Sequence, residues 1–204
     1  MSELTRTFFV WFAQSLYFFC FIPQVLNNFK RKSGTGLSDF FLLLYLNTYI
    51  PMMYYIFLLH LPWAYLVFCP LQMIATLVLI AQRLFYESCV SKKLLVLYLC
   101  NITFAFVFLP FLYINPILIA NIGGWLMLLI GAVSQLPQVI KVYNTKSVEG
   151  FSLLFVLING FAGFIEVSCA IVLKLPVQTI LGSSRVVLMT CIFILQFWMY
   201  KYKS

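Results

Sequence analysis

The chain has 204 residues, of which 64% are apolar and 9% are charged, and its formal net charge is +8. A soluble domain has roughly 45–50% apolar and about 25% charged residues, so the composition excludes a soluble globular enzyme and a disordered chain. The surplus apolar surface has to face lipid, which predicts a membrane protein with several spans.

Seven stretches are apolar over the roughly 20 residues that a helix needs to cross a bilayer. They cover approximately residues 7–29, 38–60, 62–85, 93–114, 116–140, 151–173 and 175–200. Pro62, Pro116 and Pro176 stand where new helices are expected to begin, since proline is tolerated in a first helical turn. The predicted fold class is an all-α integral membrane protein with seven transmembrane helices.

The distribution of charge predicts how the chain lies in the membrane. With the amino terminus outside, ten of the thirteen basic residues fall on the inner side, as in cytoplasmic loops. We expect an outer or lumenal amino terminus and a cytosolic carboxyl terminus, in a plasma membrane or the membrane of a lysosome-like organelle. The loops are too short for a nucleic-acid interface, so we expect no nucleic-acid partner.

The sequence lacks the patterns of a metal site and of enzyme chemistry. Its one histidine, His60, lies at the end of a span, and its six cysteines contain no C-x-x-C pair. The cysteines are therefore interpreted as small buried apolar residues. The spans contain no nucleophile–base pair and no set of metal ligands, so we expect no catalytic residue, no metal and no cofactor.

The chain repeats itself with an offset of 114 residues. When residues 8–86 are compared with residues 122–200, 17 of 79 positions are identical without a gap. Chance at this composition would give roughly six, and the matches cluster in short motifs. The identical pairs include Trp11 with Trp125, Pro23-Gln24-Val25 with Pro137-Gln138-Val139, Gly36 with Gly150, Ser38 with Ser152, and Thr76 with Thr190.

The repeat predicts three domains. Residues 7–85 and 116–200 are two three-helix repeats, and residues 93–114 are a linker helix between them. Three spans are an odd number, so a fourth span is needed to give the second copy the same orientation as the first. The result is a 3+1+3 arrangement of parallel repeats, and the substrate site of such carriers lies between the repeats near mid-membrane.

Two motifs carry a resemblance to a known family. The stretches F-I-P-Q-V-L-N-N-F-K-R-K-S-G-T-G-L-S and Q-L-P-Q-V-I-K-V-Y-N-T-K-S-V-E-G-F-S resemble the two motifs of the PQ-loop family. This family includes cystinosin, the lysosomal cationic amino acid exporters and, more distantly, the SWEET sugar transporters. The resemblance covers nearly the whole chain and implies the fold. It does not specify the substrate, because the family is spread over amino acids, sugars and non-transporting receptors.

The family resemblance implies that Pro23 and Pro137, with Gln24 and Gln138 beside them, are hinges for alternating access. Each proline lacks an N–H and frees a carbonyl one turn back, which bends the helix. The glutamine next to it offers both a donor and an acceptor. The alternative is a pair of static kinks, and the occurrence of the pair in both repeats favours the hinges.

Two ionisable residues lie deep in predicted spans, where charge is costly and usually functional. Glu166 lies roughly 10 Å and Arg185 roughly 15 Å from the outer ends of consecutive helices, at 1.5 Å per residue. They are expected either to form a structural salt bridge or to share a wet cavity. In that cavity they would bind a proton or the charged ends of a zwitterion.

Asn159 departs from the family pattern. In cystinosin-like proteins the matching position is an aspartate tied to proton coupling, and asparagine does not titrate. Asn159 and Glu166 are seven residues apart and share a helix face, so Glu166 is interpreted as a displaced acid, two turns outward. The alternative is that the protein is an uncoupled facilitator, in which Asn159 is a hydrogen-bonding ligand.

Further polar residues in the spans are candidates for lining a pore, with hydrogen bonding between helices as the alternative. The interruption at Cys69-Pro70 corresponds to Ser183-Ser184 in the second repeat, and paired interruptions point to a substrate site. The candidates are Tyr45, Asn47, Gln72, Thr76, Asn121, Ser183, Ser184 and Thr190.

These features predict an alternating-access secondary transporter of a small polar solute, most consistent with an amino acid and with proton coupling left open. The alternatives are a SWEET-like sugar facilitator, supported by Asn159, and a seven-helix receptor or scaffold that binds without transport. The expected partners are an amino acid or a sugar, protons and the lipid bilayer. The oligomeric state is unassigned.

Overall fold

A computed structural model of the protein describes residues 3–87 and 115–201, and in these ranges every regular element is a helix. The elements are α1 (Glu3–Phe19), α2 (Phe21–Arg31), α3 (Asp39–Leu58), α4 (Trp63–Tyr86), α5 (Pro116–Ser134), α6 (Leu136–Thr145), α7 (Leu153–Val172) and α8 (Val177–Lys201). The fourth predicted span, 93–114, lies outside the described residues.

Six spans are long and apolar enough to cross a membrane within the described ranges. They cover residues 7–31, 39–58, 63–86, 116–145, 153–172 and 177–200. These six agree with the predicted spans outside 93–114, with boundaries that differ by a few residues. The predicted helix starts are confirmed, because Pro116 begins α5 while Pro62 and Pro176 directly precede α4 and α8.

The spans at 7–31 and 116–145 are each broken once. α1 gives way to α2 at Cys20, three residues before Pro23, and α5 gives way to α6 at Gln135, two residues before Pro137. A proline ring clashes with the carbonyl four residues back and cannot donate to it, so the helix bends just before the proline. Both PQ motifs therefore lie at the start of short second segments, α2 and α6, that follow these breaks.

The helix ends also recur with the offset of the sequence repeat. Lys32 and Lys146 both have φ of 52°, and His60 and Lys174 have φ of 50° and 52°. In three of these turns an amide reaches back to a carbonyl five residues earlier, as from Leu175 to Ala170 (2.9 Å). This is the Schellman helix ending, and glycine is the residue it favours.

The helices close into a ring. α4 packs between α1 and α3, and α8 packs between α7 and α5, while α1 contacts α7 and α3 contacts α5. In each half of the described chain, residues 3–87 and 115–201, the last helix therefore lies between the other two spans. The two halves meet along α1–α7 and α3–α5. Two faces follow from the chain path: a loop face with residues 31–38 and 146–152, and a turn face with residues 59–62 and 173–176.

Lys174 provides a test of the left-handed helix ending. We expect Lys174→Gly to be more stable than Lys174→Ala by roughly 1 kcal/mol. In this left-handed conformation the Cβ of alanine approaches the backbone closely, and glycine has no Cβ. Both variants lose the same charge, so alanine is the matched control. Thermal melting of the two purified variants in detergent measures the difference, and equal melting temperatures would show that the turn carries no such strain.

Candidate functional site

A cavity of about 90 Å³ lies inside the ring of helices. It reaches from the middle of the bundle to Leu61 and Thr179 near the turn face. This volume holds several water molecules, since one water needs roughly 10–15 Å³. The cavity is therefore large enough to hold water in the part of the protein that lipid surrounds.

A hydrogen-bonded polar cluster forms one wall of this cavity. The carboxylate of Glu166 accepts from Nε2 of Gln14 (2.8 Å) and from Oγ of Ser183 (2.7 Å). Gln72 in turn donates to Oε1 of Gln14 at 3.5 Å. Four helices, α1, α4, α7 and α8, thus contribute to one cluster, which keeps a buried carboxylate hydrogen-bonded away from water.

Five tyrosines also line the cavity: Tyr17, Tyr45, Tyr49, Tyr55 and Tyr65. The hydroxyl of Tyr55 lies 2.9 Å from Oγ1 of Thr179, and the hydroxyl of Tyr49 lies 3.4 Å from Oγ1 of Thr76. The walls consequently present rigid aromatic surface with polar tips.

Arg185 lines the same cavity but makes few contacts of its own. Its Nε donates to the carbonyl of Gly182 at 3.4 Å, and its buried Nη1 has no hydrogen-bond partner among the described residues. The guanidinium lies against Gly131 of α5, where an added Cβ would be 2.9 Å from Cζ of Arg185.

Glu166 and Arg185 do not form a salt bridge with each other. The ion pairs found in residues 3–87 and 115–201 are Arg31–Glu149, Arg83–Asp39 and Arg83–Glu87. Of the two arrangements expected from the sequence, the structure has the shared cavity, with the acid and the arginine on its wall.

Asn159 is buried on the same side of α7 as Glu166, but it does not line the cavity. Sγ of Cys20 lies 3.9 Å from Oδ1 of Asn159, which connects α7 to the break between α1 and α2. Asn159 thus contacts the bend before Pro23.

The other candidate residues divide into three groups. Tyr45, Gln72 and Ser183 line the cavity, while Thr76 and Thr190 are buried in helix packing. Asn47 is half-buried and outside the lining. Asn121 and Ser184 are exposed, and each donates to the carbonyl four residues earlier on its own helix, at 3.0 Å and 2.8 Å.

Sequence reasoning missed three lining residues that the structure brings to Glu166 or beside it: Gln14, Tyr17 and Tyr65. Gln14 is an amide within the first span, and the rule that singled out Glu166 applies to it as well. The tyrosines give no such signal, because tyrosine is common throughout this chain, with 12 copies.

The two PQ motifs meet at the loop face in a reciprocal set of hydrogen bonds. Nε2 of Gln24 donates to the carbonyl of Gly150 (2.8 Å), and its Oε1 accepts from the amide of Ser152 (2.8 Å). Gln138 makes the equivalent bonds to the carbonyl of Gly36 (3.1 Å) and the amide of Ser38 (2.6 Å). We call these four bonds the amide clamp.

The clamp brings two loop backbones into direct contact. A side chain at Gly36 would overlap the backbone of Gly150, whose φ is +78°. Lys141 adds hydrogen bonds from Nζ to the carbonyls of Thr35 and Leu37. The loop face is therefore closed in this structure, while the cavity lies on the other side of the clamp.

The clamp has a direct test in stability. We expect Gln138→Ala to lower the free energy of unfolding by roughly 2 kcal/mol or more, since two buried backbone groups each lose a partner worth about 1–3 kcal/mol. Gln24→Ala should cost at least as much, because Nε2 of Gln24 also donates to Asn28 (2.9 Å).

Asn144→Ala is the matched control, as its side chain is exposed on the same helix as Gln138. Thermal melting in detergent provides the measurement. A Gln138→Ala protein that melts with the control would contradict a structural role for the clamp.

Comparison with known families agrees with the motifs. A family model described as the PQ loop repeat matches residues 6–65 and 119–179, which together are more than half of the chain. No curated protein matches the chain. Each matched region contains one PQ motif and the first two spans of one repeat, so the family resemblance stated from the sequence is confirmed.

Proposed function

Because the chain belongs to the PQ-loop family of membrane proteins, we propose that it is a secondary transporter that carries a small amino acid or related zwitterion by alternating access. The observation that carries the proposal is the central cavity, where an acid and an arginine lie unpaired with each other among polar groups. Charged residues inside a membrane bundle are costly and commonly mark a substrate or ion pathway.

The proposed architecture has seven helices in a 3+1+3 order, with residues 7–85 and 116–200 as parallel repeats and 93–114 as the linker. The recurring helix endings, the reciprocal clamp and the ring order of the helices support this arrangement. The helix endings and the clamp bonds occur in both repeats at equivalent positions. The amino terminus is then outside or lumenal, and the loop face, rich in basic residues, is cytosolic.

Transport requires the cavity to open to each side in turn. The loop face is held closed by the amide clamp, and to open it must release Gly36 from Gly150. The helix breaks before Pro23 and Pro137 supply the two points at which α2 and α6 can tilt relative to α1 and α5. Both clamp glutamines follow these prolines directly, so a hinge movement would separate the loops.

The cavity suits a solute that has both charges. Arg185 provides a cationic donor whose Nη1 has no partner among the described residues, and Glu166 provides a carboxylate on the other helix of the α7–α8 pair. A zwitterion would neutralise both in a low-dielectric site, where each contact is stronger than in water. Glu166 is also the group through which a pH gradient would act.

The proposal is tested by uptake into proteoliposomes against a panel of amino acids and sugars, with and without a pH gradient. We expect amino-acid uptake, and we expect Glu166→Gln to reduce it by about tenfold or more, the worth of one charge-assisted contact. Sugar uptake that responds neither to pH nor to Glu166→Gln would overturn the proposal. Loss of folding in Glu166→Gln, with no specific loss of flux, would assign the residue a structural role.

The second candidate is a sugar facilitator, which one observation favours. Five tyrosines and the amides of Gln14 and Gln72 line the cavity, and neutral amides with aromatic rings are typical of sugar sites. The same panel separates the two, because a facilitator would equilibrate a sugar without dependence on either charged residue. Binding without flux for every solute would instead support a receptor.

Neighbouring serines on α8 give a sharper test of the site. We expect Ser183→Ala to raise the KM for uptake by roughly threefold to tenfold, because a buried hydrogen bond to Glu166 is lost. Ser184→Ala should leave the KM unchanged, since this hydroxyl is exposed and bonded to its own helix. Equal effects of the two substitutions would argue against a site on the Ser183 side of the helix.

A further inference from the structure

We propose that Arg185, seated against Gly131, binds a carboxylate of the solute, and that the solute also has an apolar side chain that contacts the α3–α5 side of the cavity. This inference rests on the proposed transport function and specifies its substrate class. It concerns which groups of the solute are recognised and where, which neither the family nor the motifs decide.

The guanidinium of Arg185 has an unused hydrogen-bond donor. Its Nη1 is buried and has no acceptor among the described residues. Guanidinium N–H groups are donors only, and a buried donor without an acceptor costs about 1–3 kcal/mol or more. A ligand with acceptor oxygens would satisfy this donor.

The second step is that the protein makes room for this guanidinium. Gly131 is the repeat counterpart of Tyr17. The first repeat therefore presents a phenol where the second presents no side chain. A methyl group at Gly131 would overlap the guanidinium of Arg185. The absence of a side chain at Gly131 thus leaves the space that the guanidinium of Arg185 occupies.

The third step is that the carboxylate of Glu166 is already hydrogen-bonded. Gln14 and Ser183 each donate to one of its oxygens. The guanidinium is thus the charged group on the cavity wall that has free hydrogen-bonding capacity among the described residues. Its planar fork matches a carboxylate, so the anionic end of the solute is the end most strongly recognised.

The fourth step is the polarity of the cavity. Gln14 and Glu166 come from α1 and α7, which are neighbours on one side of the ring. Met52 and Ile56 of α3 and Leu128 of α5 line the cavity from the neighbouring pair on the other side, where α3 also contributes Thr48 and the rings of three tyrosines. A solute whose carboxylate is at Arg185 therefore has apolar surface within reach, which favours an apolar side chain over a charged one.

Repeat-equivalent positions show that this polarity is built in. Gln14 and Leu128 are counterparts, as are Glu166 and Met52, and all four line the cavity. In each pair the polar member lies on the α1–α7 side and the apolar member on the α3–α5 side. The scaffold repeats, but the chemistry of the cavity does not.

The experiment is calorimetric binding to the purified full chain in lipid nanodiscs. The probes are L-leucine, 4-methylpentanoate, which lacks the amino group, 3-methylbutylamine, which lacks the carboxylate, and D-glucose. We expect both carboxylates to bind, and we expect 3-methylbutylamine to bind between about tenfold and a hundredfold more weakly than L-leucine, the worth of a charge-assisted hydrogen bond.

Three variants connect that preference to Arg185. Arg185→Met should remove the difference between L-leucine and 3-methylbutylamine, and Arg185→Lys should restore part of it. Gly131→Ala keeps the charge but displaces the guanidinium, so it should weaken the binding of both carboxylates without loss of folding. Leu129→Ala, on the same helix with an exposed side chain, is the control and should bind as the unmodified protein does.

The outcomes separate this inference from the proposed transport. Binding of 3-methylbutylamine or D-glucose as tight as that of L-leucine, failure of both carboxylates to bind, or a preference for carboxylates that survives Arg185→Met would each overturn the carboxylate site. If L-leucine binds through Arg185 but proteoliposomes do not take it up, the transport proposal is wrong and the carboxylate site stands.

Discussion

At the loop face the backbones of Gly36 and Gly150 touch, and each of their loops receives a glutamine from the other half of the molecule. These backbone groups are buried between the two loops, so they need protein partners in place of water. Gln24 and Gln138 supply both a donor and an acceptor to irregular backbone, which no apolar side chain can do. Each glutamine directly follows the proline that breaks its helix, so the break and the clamp occur together in each half.

The scaffold and the cavity obey different rules. Helix endings, clamp and helix order recur in both halves, because the same short motifs meet the same backbone requirements twice. The cavity lies between the halves, and there equivalent positions have diverged, as at Glu166 and Met52. A repeated frame can thus close one face of the bundle in a nearly symmetric way and still have different side chains at equivalent positions of the cavity wall.

The candidate site could be predicted in part because charge inside a span is conspicuous. Glu166 and Arg185 were selected on depth alone, and both line the cavity. Depth does not specify which way a side chain points around its helix. Ser183 and Ser184 have nearly the same depth, but Ser183 faces the cavity and Ser184 is exposed. Likewise, the choice between a salt bridge and a shared cavity depended on where α5 leaves space for the guanidinium, namely at Gly131.

By itself the sequence determined the membrane class, the six described spans, the prolines at which three of their helices begin, and the family. Length, hydropathy and short motifs are local properties of the chain. The tertiary structure decided that Gln24 contacts Gly150, that Gln14 contacts Glu166, and that Arg185 lies against Gly131. These pairs are far apart in sequence, and they meet only because the ring order of the helices and the rotation of each helix about its axis bring particular faces together. Packing between helices fixes both quantities, and no local pattern encodes them.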